Sequence, residues 1–135
     1  MSINEPDTAM WKPQPFRTSA AIEAQADAAT PALFTIGDVV KHRIFPFRGV
    51  IFDVDPVFNN TEEWWQSIPE AIRPHKDQPF YHLFAENEES AYVAYVSQQN
   101  LLPDPEGDPV QHPGVIQMFS GREGGRYQLR REMKN

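Results

Sequence analysis

Gly37-Asp38-Val39-Val40-Lys41-His42-Arg43-Ile44-Phe45-Pro46-Phe47-Arg48-Gly49-Val50-Ile51-Phe52-Asp53-Val54-Asp55-Pro56 decides the fold. It reads as two β-strands joined by a tight loop. Gly37 and Asp38 open the first strand with a turn, and the side chains from Val39 to Ile44 divide between two faces at period two. Pro46 breaks that strand, because it has no N–H and a fixed φ. Gly49 lets the backbone turn back into Val50–Val54. Asp55-Pro56 closes the second strand, since proline restricts the residue before it and cannot extend a ladder.

Working outward, 135 residues suffice for one domain. Thirteen prolines and seven glycines predict short elements and many turns. Nine Phe, four Tyr and three Trp supply the bulk that a narrow β interior needs. The chain has no cysteine, which excludes disulfides and thiolate metal sites. No segment approaches the roughly 20 apolar residues of a membrane span. The N-terminus has no basic start followed by an apolar core, so a cytoplasmic protein is expected.

Residues 1 to 32 read as a disordered arm, rich in Ala, Thr and Pro from Thr18 to Pro31. Residues 33 to 119 form the predicted domain, and 120 to 135 a basic, flexible tail. After the second strand comes an insertion, residues 57 to 75. Asn60 or Thr61 is placed to cap a short helix, with Glu62 and Glu63 in its first turn and Pro69 ending it. Phe80–Glu86 reads as strand three, Tyr92–Val96 as strand four, and Ser97–Leu102 as a short 3₁₀ turn. A proline-rich acidic loop then leads to Val115–Phe119 as strand five.

The net charge is −7. Between residues 33 and 102, Lys41, Arg43, Arg48, Arg73 and Lys76 face twice as many carboxylates. DNA affinity comes mainly from neutralising phosphates, so such a core repels DNA unless its cations cluster. Lys41, Arg43 and Arg48 do lie on or beside one hairpin.

His42, His75, His82 and His112 show neither H-E-x-x-H nor an i, i+4 pair, so no metal site is expected. His42 and His82 are predicted on nearby strands, satisfied by backbone or a carboxylate. Asp53 and Asp55 project to one face, and turn capping with a salt bridge to Arg43 or Arg48 accounts for them more simply than acid–base work. There is no nucleophile elbow, phosphate loop or dinucleotide fingerprint, so no catalytic residue and no cofactor is expected. Trp64 and Trp65 point about 100° apart on a helix. One can plug the domain while the other stays near the surface, where it suits a protein interface. Tyr81, Tyr92, Tyr95, Phe45 and Phe47 are candidates for a platform that stacks bases or cages a methylammonium.

Three segments follow the hairpin in order: Gln78-Pro79-Phe80-Tyr81-His82, Tyr92–Leu101, and Pro109-Val110-x-His112-Pro113. With Asp53-Val54-Asp55-Pro56 and Trp64-Trp65, they make the chain resemble the hemimethylated-DNA-binding, or YccV-like, family, whose bacterial member is the heat-shock protein HspQ. The resemblance covers roughly residues 33 to 119. The hairpin itself is of the kind that opens small SH3-like barrels. The expected fold is therefore all-β: a five-stranded SH3-like barrel with a short helix inserted after strand two and flexible termini.

The resemblance implies one of two binding roles. In the first, the protein binds DNA, preferring hemimethylated sites. Lys41, Arg43 and Arg48 contact phosphate, and the C-terminal arginines add affinity. In the second, it regulates proteolysis by protein contacts through Phe47, Trp64 and Trp65. HspQ-like proteins are associated with heat shock, with stimulation of the Lon protease and with degradation of DnaA. The charge balance favours the second. Self-association through open sheet edges is also expected.

Overall fold

The structure, a computed structural model, describes residues 30–133. The predicted arm lies almost wholly outside the described residues. Five strands form one antiparallel sheet: β1 (Val39–His42), β2 (Arg48–Asp55), β3 (Phe80–Glu86), β4 (Ala91–Ser97) and β5 (Leu101–Pro103), in the order β4-β3-β2-β1-β5. Helix α1 (Glu62–Ser67) follows β2, as the sequence predicts. Its cap is Thr61, whose Oγ1 accepts from Trp64 N at 2.9 Å.

The β1–β2 hairpin forms where it was read, with Val39 opposite Val50 and Lys41 opposite Arg48. His42 builds its tip: the imidazole Nδ1 accepts from the backbone amides of Ile44 (3.1 Å) and Phe45 (3.0 Å). Two loop donors that the ladder cannot reach are satisfied this way. Gly49 passes against β3, where a Cβ would stand 2.6 Å from the carbonyl oxygen of Phe84.

Among the described residues no ladder closes this sheet into a barrel. β4 and β5 are its two edges, yet only the 3₁₀ turn Gln98–Asn100 separates them in sequence. Strands lie about 4.8 Å apart, so the edges of a flat five-stranded sheet stand roughly 19 Å apart. A three-residue 3₁₀ turn rises only about 6 Å. The sheet must therefore curl until its edges approach at Gln98. That buried side chain accepts from Leu33 N (2.9 Å) and the Tyr81 hydroxyl (2.5 Å) and donates to Pro31 O (3.1 Å). Residues Ala94 to Ser97 of the β4 edge are buried, and His112 Nε2 lies 3.0 Å from Tyr92 O, so little of this edge is open for pairing.

The fifth strand is Leu101–Pro103, paired with β1, and not Val115–Phe119. Residues Pro113–Met118 form helix α2 instead. His112 caps it, accepting from Gly114 N at 2.9 Å, and Pro113 sits in its first turn, where a missing N–H costs nothing. These start signals outweigh the β propensity of Val115 and Ile116.

Nor are residues 120 to 129 of the predicted tail loose. β6 (Phe119–Glu123) and β7 (Arg126–Leu129) pair in a hairpin turned by Gly124 and Gly125, with φ of 60° and 81°. Such a two-residue turn requires positive φ at both positions. The hairpin docks on the start of β1 through Tyr127 N to Gly37 O (2.8 Å) and Arg126 Nε to Asp38 Oδ1 (2.7 Å).

Three apolar clusters result. The inner face of the curl gathers Val40, Ile51, Tyr81, Leu83, Ala94 and Val96. The outer face buries Val39 and Val50 under Val110, Val115, Phe119 and Tyr127. At one end α1 and its C-cap residue add Trp64 and Ile68 to Phe58, Phe80 and Tyr95. Each of the large aliphatic and Phe side chains among them contributes on the order of 1.5–3 kcal/mol on burial. Among the described residues no helix is long and apolar enough to cross a membrane.

Candidate functional site

At the hairpin end of the sheet the register lines up Leu102, Lys41, Arg48 and Glu86 side by side across β5, β1, β2 and β3. Directly opposed residues share a face, so this row forms a wall of alternating chemistry. It borders a cleft of about 810 Å³ lined by the hairpin tip, the β3–β4 loop and the Asp104–Gln111 loop. Lys41 and Arg43 line it together with Glu86, Glu88, Asp104 and Asp108, while Phe45, Phe47 and Leu102 supply apolar surface.

The three predicted phosphate contacts come together here, but not as free charges. Arg48 donates through Nε to Asp104 Oδ2 (2.9 Å) and through Nη1 to Glu86 Oε2 (3.3 Å), and its side chain is only 20% exposed. Gly107 packs so closely on this guanidinium that a Cβ there would collide with it. Arg43 is exposed while its Nε donates to Gln99 O and Asn100 Oδ1, both at 3.0 Å. Lys41 is exposed and holds no ion pair among the described residues. Burial, and after it the charge of Arg43, hold the His42 imidazole at about 4, well below its usual 6.5. It is neutral at pH 7, as its accepting role requires.

Three of the C-terminal arginines are used as fasteners. Arg122 donates to Gly107 O (2.8 Å) and Pro105 O, and lies over the Tyr127 ring. Arg130 donates twice to Ile116 O, at 3.0 and 2.6 Å. Arg126 is paired with Asp38.

The predicted protein-contact residues divide. Phe47 is buried in the inner cluster and Trp64 packs against Tyr95 at 5.4 Å, so neither offers much surface. Trp65 is the half-exposed member of its pair. It donates Nε1 to Pro74 O at 2.7 Å and lies beneath Lys76 (4.4 Å) and Arg73 (5.0 Å). Trp65 sits at the opposite end of β2 from Arg48, roughly 20 Å along an eight-residue strand. Phe47 therefore joins the cleft and the Trp pair does not. Tyr81 and Tyr95 are fully buried and cannot stack a base, and burial raises the hydroxyl pKa of each.

The carboxylates of the D-V-D-P segment meet neither Arg43 nor Arg48. Asp55 Oδ2 accepts from the Tyr95 hydroxyl (2.9 Å) and lies 3.0 Å from His82 Nε2, while Asp53 Oδ1 accepts from Val54 N (2.9 Å). His42 and His82 do not face each other, because β2 lies between their strands. A bulge at Phe52 shifts the register so that Asp53 opposes His82. Asp53, Asp55 and His82 thus each place a ligand-type atom within 4.8 Å of the others. Sequence reasoning missed this group because it depends on that register; the two motifs were visible, their pairing was not.

Fold and cleft define a small antiparallel-sheet module with a mixed-charge surface groove. The chain belongs to the YccV-like family, described as hemimethylated DNA-binding protein YccV like, with residues 32–126 matched. It is also 33% identical over 95 residues to F-box only protein 21 of Mus musculus, and 32% identical over 95 residues to its counterparts in Homo sapiens and Pongo abelii. Those matches cover 70% of this chain, which spans only 15% of the length of these curated relatives. No solved structure matches the chain.

Proposed function

We propose that this protein is a non-enzymatic, HspQ-like regulator of proteolysis in the cytoplasm, which holds a segment of a partner protein in the cleft beside Lys41, Arg43 and Phe45. The observation that carries this reading is the spending of positive charge. Arg48 is held by two carboxylates and Arg126 by one. Arg122 and Arg130 are held by backbone carbonyls. In a chain of net charge −7, Lys41 and Arg43 are what the cleft presents to a ligand as exposed cations. Tight, salt-dependent DNA binding rests on neutralising several phosphates, and two cations provide little of that. The groove's apolar surface and its mixture of cationic and acidic groups suit a polypeptide better. Partners of this role are the Lon protease and a DnaA-like client.

The family's description favours a second reading, binding to hemimethylated DNA through the same Lys41–Arg43 edge. One experiment separates the two. Hemimethylated, fully methylated and unmethylated duplexes are titrated at low and moderate salt, alongside a Lon degradation assay with a DnaA-like client. The regulator reading expects no methylation-dependent DNA binding, together with stimulated degradation that Lys41→Glu/Arg43→Glu abolishes. Hemimethyl-selective binding that weakens with salt and vanishes in the same variant, without stimulation of Lon, overturns it.

A further inference from the structure

We propose that Asp53, Asp55 and His82 bind a divalent transition-metal ion, with zinc the best match to the donor set. The two segments that mark this chain most clearly, D-V-D-P on β2 and F-Y-H on β3, have no part in the cleft. The β2–β3 register brings them together with one oxygen or nitrogen donor from each residue inside a 4.8 Å span. One imidazole and two carboxylates make an N/O set that suits zinc, leaving the remaining coordination position to water.

Charge points the same way. Glu62, Glu86, Asp104 and Asp38 each hold a Lys or Arg. Asp55 has only His82, and Asp53 has no ion-pair partner among the described residues. Two adjacent carboxylates thus lack a permanently charged counter-ion.

The group is also built to keep its geometry. Asp55 is held by the hydroxyl of buried Tyr95, which in turn accepts from Asn59 N at 2.9 Å. Support behind a ligand of this kind typically matters for metal affinity by 10- to 100-fold. The His82 and Asp55 side chains are 18% and 16% exposed, so an ion can reach them from solvent. On binding, the metal takes the place of the hydrogen bond between His82 Nε2 and Asp55 Oδ2, with the neutral imidazole carrying its proton on Nδ1.

The test is calorimetric titration of chelator-treated full-length protein with ZnCl₂, with thermal unfolding as a second readout. One equivalent is expected to bind and raise Tm. His82→Gln and the exposed-site variant Asp53→Asn are each expected to weaken binding by about tenfold or more, whereas His75→Gln, on the exposed loop before β3, leaves it unchanged. The absence of heat and of any Tm shift at millimolar zinc overturns the proposal. So does binding that survives undiminished in both His82→Gln and Asp53→Asn.

Discussion

The imidazole of His42 accepts two amide hydrogens within a shell formed by Phe45 and Phe47, whose rings lie 4.8 and 5.0 Å away. A proton on Nδ1 would end both bonds. Because the native pKa is about 4 and the unfolded value 6.5, the unfolded chain takes up this proton first as pH falls. The contribution to stability is complete above pH 6.5 and is lost between about pH 6.5 and 4, amounting to roughly 3 kcal/mol. Urea unfolding from pH 8 to 4 should show this fall. In His42→Leu the imidazole's share of the slope should disappear, while stability at pH 8 drops by about 1–3 kcal/mol for the two unsatisfied amides. Gly37 makes a second residue-level demand. With φ at 97° and a Cβ that would strike Tyr127 O, Gly37→Ala should lower stability by more than about 2 kcal/mol in the same measurement. Sequence marked Gly37 as a turn. That it receives the C-terminal hairpin was not legible, because the contact spans about ninety residues of chain.

Short elements here depend on their caps. Helix α1 has six residues, too few to be stable by propensity alone, so its cap and its packing set its survival. Thr61→Ala should cost about 1 kcal/mol and shift the denaturation midpoint followed by tryptophan fluorescence. This helix was readable, since Thr61, the two glutamates and Pro69 are all local signals. Helix α2 was not, because Val115 and Ile116 suggest a strand and the side chain of His112 had to be seen acting as a cap. The β6–β7 hairpin was read as part of a basic, flexible tail, whereas three arginines of that segment are tied to backbone or carboxylate by contacts distant in sequence. Truncation after Met118 removes Phe119 and Tyr127 from the outer cluster. It should cost more than about 3 kcal/mol, visible as a lowered urea midpoint and as faster amide exchange in β1 and β2.

At the scale of the whole molecule, β3 contributes to all three apolar clusters, through Leu83, Phe84 and Phe80 in turn, so no cluster can open alone. Tryptophan fluorescence from the α1 end and far-UV circular dichroism should therefore report one common unfolding midpoint; separated midpoints would show that the clusters melt independently. The sequence by itself determined the β1–β2 hairpin, the capped insertion, strands three and four, and the family, because each is encoded by neighbouring residues or by motifs in fixed order. The tertiary structure alone decided that the sheet curls without a closing ladder and that both its faces are covered. It also decided that Arg48 is neutralised while Lys41 is not, and that Asp53, Asp55 and His82 meet. Those outcomes depend on register and on contacts between distant segments, and a charge read along the chain carries no record of the partner that folding will place beside it.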